Sequence, residues 1–354
     1  MRKNPRTFPL APTAANSACL TACAPLAVTI PVERSNLRKH DASMIRIGID
    51  LMGNDNSPET LLSALKELEL DPSVELVAFG LPEYKTSCPF EYVEAPEFIS
   101  MDDHPLNALR RKKEASLCIG LRYLKAKRID AFVSAGNTGA LVTGAKVILG
   151  NLPGILRPAL LARMPTKKEP VAVLDVGANV QVKACHLVQF ALLGTAFAKA
   201  HGIEKPTVGL LNIGSEAIKG TSELRLAYQE LKTMAHAPFH FAGNIEGKSV
   251  FDGDVDVLIT DGFTGNVFLK TAEGIASLIL DRFGSLLPAQ EYKRLGPQIR
   301  DLSGHLHYAE YPGAILAGAN GIVIKCHGYS TPRAFLNAVT GAVKLVRGNA
   351  FTGL

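Results

Sequence analysis

Seven short apolar runs, most of them closing on small polar residues and leading into a helical pattern, constrain this chain more than any other feature. They cover 45–50, 74–79, 131–134, 171–175, 208–212, 255–260 and 322–325. Their residues are apolar continuously rather than alternately, which is the pattern of strands buried on both faces. The intervening segments read as helices. Ser57-Pro58-Glu59 supplies an N-cap, a first-turn proline and a first-turn acid, and Leu61, Leu62, Leu65 and Leu68 then share one face. Further helices are expected over 108–126, 139–149, 187–201, 221–236, 265–283 and 333–347. Strand alternating with helix predicts a three-layer, Rossmann-like α/β sandwich with a largely parallel or mixed central sheet. Ligands of such folds sit beyond the carboxyl ends of the strands. No internal repeat and no linker interrupts 44–354, so one domain is expected there.

The first 43 residues are different. They are rich in proline, alanine, serine and threonine and keep no period, so they are expected to be disordered or to precede the true start at Met44. A lipoprotein-type signal ending at Cys23 is disfavoured because Pro9, Pro12, Asn16 and Ser17 interrupt the apolar region it needs. The segment holds six basic residues against two acidic ones and accounts for most of the formal charge of +5. The near-neutral remainder has no electrostatic footprint for nucleic acid. No apolar stretch reaches the roughly 18 residues of a membrane span. The six cysteines lack the close pairs of a zinc site or a disulfide scaffold, which fits a reducing, cytoplasmic setting with no metal. Cys185-His186 and Cys326-His327 read as packing or turn residues.

Chemistry concentrates where the strands end. The loops are 134–139, 175–179, 212–216, 243–244 and 261–266, all rich in glycine and asparagine. Glycine lets backbone N–H groups approach a ligand, asparagine and threonine donate hydrogen bonds, and a following helix N-terminus favours an anion. Together they predict one cleft for phosphate or a developing oxyanion. The dinucleotide fingerprint and the nucleoside triphosphate loop are both missing, as is the serine nucleophile elbow. No cofactor is expected.

The sequence resembles the bacterial phosphate acyltransferase family over 44–354. The matching motifs run in order: Asp50-Leu51-Met52-Gly53, Arg110-Arg111-Lys112-Lys113, 134–141, Arg157-Pro158-Ala159-Leu160, 175–180, 210–216 with Lys219-Gly220, 260–266, Tyr311-Pro312-Gly313-Ala314 and Cys326-His327-Gly328. It departs from the family pattern at Asn54, Asn56, Gln181 and Ala184-Cys185. The resemblance implies transfer of a fatty-acyl group from acyl carrier protein to inorganic phosphate. The acyl phosphate would then feed phospholipid synthesis through a downstream acylphosphate-using glycerol-3-phosphate acyltransferase. It also implies a homodimer and a fold like that of isocitrate and isopropylmalate dehydrogenases and phosphotransacetylase.

Phosphate is itself the nucleophile in such a reaction, so the protein has to supply charge neutralisation, alignment and a hole for the carbonyl oxygen. Lys219 is the expected cation and Asn266 the expected neutral donor. Gly136, Asn137, Thr138, Gly139, Asn179, Asp261 and Gly265 are expected to bind phosphate or the acyl carbonyl, with Asp261 orienting Lys219 or Asn266. Arg110, Arg111, Lys112 and Lys113 would dock the acidic carrier protein. The stripe Ile275, Leu278, Ile279, Phe283, Leu286 and Leu287 reads as core or dimer seam, with peripheral membrane contact as the alternative. A phosphotransacetylase-like enzyme using short acyl-CoA and a non-catalytic anion-binding scaffold are the rival functions.

Overall fold

A computed structural model describes residues 44–286, 288–299, 313–326 and 331–348. The first 43 residues, Leu287, Tyr311-Pro312 and His327-Gly328 lie outside the described residues. Eleven strands form one sheet in the order β3-β2-β1-β4-β11-β10-β5-β6-β9-β7-β8. In chain order they are β1 (Ile45–Asp50), β2 (Val74–Gly80), β3 (Glu91–Glu94), β4 (Ala131–Ser134), β5 (Ala159–Met164), β6 (Val171–Leu174), β7 (Thr207–Asn212), β8 (His240–Glu246), β9 (Val257–Ile259), β10 (Ala314–Ala317) and β11 (Ile322–Lys325). The helices are α1 (Pro58–Lys66), α2 (Pro105–Arg111), α3 (Ser116–Lys125), α4 (Thr138–Ile148), α5 (Ala184–Ala200), α6 (Ser222–Thr233), α7 (Gly262–Leu286), α8 (Ala289–Arg294) and α9 (Pro332–Arg347).

The continuous apolar runs are explained by a sheet covered on both sides. In β4, Ala131 and Val133 join one hydrophobic core while Phe132 joins the other. In β6, Ala172 and Leu174 face one side, and Val171 and Val173 the other. Helices α1, α5, α6 and α9 cover the first face. Helices α2, α3, α4 and the start of α7 cover the second. Ser57 caps α1 as expected, accepting the Thr60 N–H, and Leu61, Leu62 and Leu65 are buried beneath it.

The expected helix over 108–126 is two helices, α2 and α3, broken between Arg111 and Ser116. Strands β3, β5, β8 and β10 also escape the apolar-run criterion. Two of them matter most. Strand β10 runs antiparallel to both β11 and β5, and β5 runs antiparallel to β6. The flanking groups, β3-β2-β1-β4-β11 and β6-β9-β7-β8, are each parallel within themselves. The intervening reversals therefore turn the carboxyl ends of the two groups toward opposite edges of the sheet. The glycine and asparagine loops do not gather into one cleft at a single edge.

Candidate active site

At the edge formed by β1, β4 and β11, Asp50 ends its strand fully buried. Ser116 donates to its Oδ1 at 2.7 Å, Ser134 to its Oδ2 at 2.9 Å, and the Met52 N–H to its Oδ1 at 3.2 Å. Burial pushes its pKa up to about 6, against the lowering effect of these donors and of Lys325. Lys325, at the end of β11, is only 7% exposed. Its ammonium donates to the carbonyls of Ala135, at 3.1 Å, and Cys326. Burial brings its pKa down to about 8. Sequence analysis singled out neither, although an ionisable group closing an otherwise apolar run was a visible signal at each.

The start of α4 stands at the same edge. Asn137 caps it, accepting the Ala140 N–H at 3.0 Å. Its amide group reaches the carbonyls of Ser100, Met101 and Asp103 at 3.0–3.2 Å, so the side chain straps the 100–103 loop to the helix. The Gly136 N–H is held by Ser134 Oγ at 3.1 Å. Thr138 and Gly139 form the half-buried first turn. Of the basic run at the end of α2, Arg110, Arg111 and Lys113 are exposed, while Lys112 pairs with Asp103 at 2.5 Å.

The opposite edge is organised around Asp175. The N–H groups of Leu160, Gly177 and Ala178 donate to its Oδ1 at 3.0, 3.1 and 2.9 Å. The Asn179 N–H and side-chain amide donate to its Oδ2 at 2.7 and 2.8 Å. Burial raises the Asp175 pKa, and this set of donors opposes the rise. Asn179 also donates to the Pro158 carbonyl at 2.8 Å and accepts the Gly262 N–H at 2.8 Å, so its polar groups tie three segments together. Helix α7 seats tightly on this loop. A Cβ at Gly265 would stand 2.0 Å from the Asp175 carbonyl oxygen, a separation no side chain tolerates. Asp261 accepts the Thr264 N–H at 2.8 Å and the Thr264 hydroxyl at 2.7 Å, which makes it the cap of α7. Its carboxylate is thereby engaged with Thr264, not with Lys219 or Asn266. Asn266 is exposed one turn on, and its amide donates to the Val176 carbonyl at 3.1 Å.

Lys219 belongs to the neighbouring loop after β7. Buried Asn212 donates to the Lys219 carbonyl at 3.2 Å, and buried Asn244 donates to the Glu216 carbonyl at 2.8 Å. Both asparagines therefore shape the loop from below. The Lys219 ammonium is left half-exposed, 3.8 Å from Glu216 Oε1. The loops at this edge also carry apolar side chains in the open: Val180, Ile213, Ile218, Phe263 and Val267 are each more than half exposed.

Helix α7 links the two edges. It begins at the Asp175 loop, and the charge of its Lys270, one turn beyond Asn266, acts on Lys325 at the other edge. Among the described residues, no cluster of three or more His, Cys, Asp or Glu is placed to hold a metal ion. No described helix is long and apolar enough to cross a membrane.

Comparison with known proteins agrees with the sequence resemblance. Residues 45–352 match the model of a family described as fatty acid synthesis protein. A phosphate acyltransferase of Chlamydia caviae is 42% identical over 317 residues, covering 86% of this chain and 96% of that protein. One from Thermotoga petrophila is 40% identical over 320 residues, covering 88% and 94%. Among solved structures, a phosphotransacetylase from Streptococcus pyogenes superposes with a TM-score of 0.58 at 17% identity, covering 86% of this chain and 95% of that one. A 4-hydroxythreonine-4-phosphate dehydrogenase from Klebsiella pneumoniae does so with a TM-score of 0.52 at 10% identity, covering 86% and 100%. These structural likenesses place the sheet, with its central reversal, in the fold class shared by such transacylases and dehydrogenases. The sequence identity, sustained from the first strand to the last helix, makes this chain a member of the phosphate acyltransferase family.

Proposed function

We propose that the chain transfers a fatty-acyl group from the thioester of acyl carrier protein to inorganic phosphate. A phosphate oxygen adds to the thioester carbonyl carbon, forming a C–O bond and a tetrahedral oxyanion. Collapse of that intermediate breaks the C–S bond, and the departing thiolate takes up the proton that hydrogen phosphate gives up. The products are an acyl phosphate and the free carrier thiol. Because phosphate is the nucleophile, no acyl-enzyme is required.

The observation that carries this function is the make-up of the Asp175 edge. An exposed amide donor, Asn266, and a half-exposed ammonium, Lys219, stand on loops that also present bare apolar side chains. Lys219 neutralises the phosphate or polarises the acyl carbonyl, and Asn266 donates to the developing oxyanion. Asn179, Asp261 and Gly265 hold the start of α7 in place for it. Gly136, Asn137, Thr138 and Gly139 stand at the other edge, where the Asn137 side chain is already engaged by the Ala140 N–H and the 100–103 loop. The exposed apolar groups suit a fatty-acyl chain better than an acetyl group. Arg110, Arg111 and Lys113, with Lys112 partly neutralised by Asp103, offer a basic face to the acidic carrier.

The apolar stripe of α7 supports a further part of the proposal. Ile275, Leu278, Ile279, Phe283 and Leu286 are exposed in the single chain rather than buried in its core. A second copy of the chain in a homodimer would cover them. A Leu286→Glu variant should then run at half the wild-type mass in sedimentation, whereas loss of vesicle binding at unchanged mass would assign the stripe to a membrane surface.

The reaction itself is tested by incubating purified protein with palmitoyl-acyl carrier protein, palmitoyl-CoA or acetyl-CoA and measuring phosphate-dependent release of thiol. Release from the carrier substrate is expected. Release from acetyl-CoA alone would replace the proposal with a phosphotransacetylase activity, and no release from any donor would leave a binding protein. The acyl phosphate would be consumed by an acyltransferase acting on glycerol 3-phosphate.

A further inference from the structure

Helices α5 and α9 lie on the same face of the sheet but over different strands. The first packs on β6 and β9, the second on β1, β4 and β11. Between these two sets run β10 and β5, the strands that reverse direction. A cavity of about 320 Å³ opens there. Leu161 of β5 and Ile315 of β10 floor it, and its walls include Phe197 and His201 at the end of α5 and Thr340 and Lys344 of α9. Its volume falls within the range of small-molecule sites, about 300–1,000 Å³. The start of α7 covers the other face of the sheet, so this cavity is separate from the groups around Asn266.

The charge of the lining has one sign. Among the described residues that line the cavity, Arg163 and Lys344 are cations and none is Asp or Glu. Lys344 stands in the last turn of α9, where a basic residue is explained by the helix end alone. Arg163 has no such explanation. It lies inside β5, a strand whose other five residues are buried, and two-residue alternation puts it on the same face as Leu161. A guanidinium on the covered face of a sheet loses hydration, and the gap between the helices is what leaves Arg163 half-buried rather than enclosed. Its planar fork matches a carboxylate or a phosphate. The neighbouring wall is set in advance: the His201 ring packs on Phe197 with centroids 4.2 Å apart, and its Nδ1–H donates to the Phe197 carbonyl at 2.9 Å.

We infer that the gap between α5 and α9 binds an amphipathic organic anion, with its carboxylate or phosphate on Arg163 and Lys344 and its hydrocarbon part on Leu161, Phe197 and Ile315. A basic rim over an apolar floor selects for that combination: the head alone leaves the floor wet, and the tail alone leaves the cations without a counter-charge. Because α5 and α9 rest on the two separate parallel groups of strands, the occupant touches both halves of the sheet at once.

The test is calorimetric titration of the full-length protein with octanoate and octyl phosphate, and with acetate, methyl phosphate and octanol as their parts. At least one amphiphile should bind about tenfold or more tightly than its parts, and the tighter of the two names the head group. Arg163→Gln should weaken it about ten- to a hundredfold, as expected for loss of hydrogen bonds to a charged group. Lys344→Glu, at an exposed position, should weaken it about three- to fivefold at low salt. Thr340→Phe fills the gap from α9 and should abolish binding with both cations in place. Melting temperatures report whether each variant is folded, and if Arg163→Gln is not, Lys344→Glu and Thr340→Phe carry the test. The double variant Lys219→Ala with Asn266→Ala should bind like wild type, whether or not the protein transfers acyl groups. Loss of binding there would put the probe at the Asp175 edge and overturn the inference. So would binding that Lys344→Glu and Thr340→Phe leave unchanged, octanol bound as tightly as the amphiphiles, or no binding at all.

Discussion

Asp50 and Asp175 both close buried strands, and the molecule uses them in opposite ways. Asp50 collects two hydroxyls and one N–H, and its charge is matched by Lys325, itself shut inside against two backbone carbonyls. Nearly every polar group at that edge is spent on the protein. Asp175 collects five N–H donors from its own loop and from Leu160, which turns a flexible glycine loop into a fixed platform. The groups it positions, with the neighbouring Lys219, are left facing solvent. A buried carboxylate can thus serve as a counter-charge or as a template for backbone. Only the template frees other side chains to meet a ligand.

The largest expected effect separates the edges directly. Lys219→Ala and Asn266→Ala should each lower turnover by about a hundred- to a thousandfold, the usual cost of removing one oxyanion donor, while the melting temperature stays put. Wild-type turnover in both would end the assignment of chemistry to the Asp175 edge. Asp50→Ala should behave in the reverse manner. It leaves the Ser116 and Ser134 hydroxyls and the Met52 N–H without their acceptor, at a cost of about 1–3 kcal/mol for each unsatisfied group in urea unfolding.

A pH series sharpens the same contrast. The folded Asp50 pKa of about 6 lies above the ordinary value of 3.8, so the folded state keeps a proton that the unfolded chain releases. The stability Asp50 contributes is therefore full below about pH 4 and lost as pH rises through 6, by up to about 3 kcal/mol. Lys325 has the opposite sign: with its folded pKa lowered to about 8, stability is gained as pH rises from 8 toward 10.5. In Asp50→Asn the fall between pH 4 and 6 should vanish. If wild type and variant keep parallel profiles, Asp50 is not the buried acid described.

The smallest effect belongs to the surface. Arg110→Glu with Arg111→Glu should raise the KM for an acyl carrier protein substrate by about three- to tenfold at low salt, and the difference should fade as salt screens it. A CoA thioester should not notice the change. An equal loss with both substrates would move the basic run from docking to folding.

Much of the local structure was legible because short-range physics writes it into neighbouring residues. The runs at 45–50, 131–134 and 322–325 coincide with β1, β4 and β11, since a strand buried on both faces has to be apolar throughout. Ser57 caps its helix, as read from the sequence, through a bond only three residues long. Strands β5 and β10 were not legible. β10 is only four residues long, β5 carries Arg163 inside it, they follow Gly313 and Pro158, and nothing local states that they run against their neighbours. That reversal sends the two sets of loops to opposite edges.

The sequence by itself determined the alternation of strand and helix, the polar chemistry of the strand ends and, through its ordered motifs, the family. It also singled out Lys219 and Asn266, whose side chains are left exposed. Tertiary structure alone decided which loops keep company, because strand direction and long-range hydrogen bonds are properties of pairs far apart in the chain. Asp175 meets Leu160, Ser116 meets Asp50 across 66 residues, and Lys325 meets Ala135 across 190. The Glu223 carboxylate that ties α6 to α5 through the Ala184 N–H likewise comes from 39 residues away.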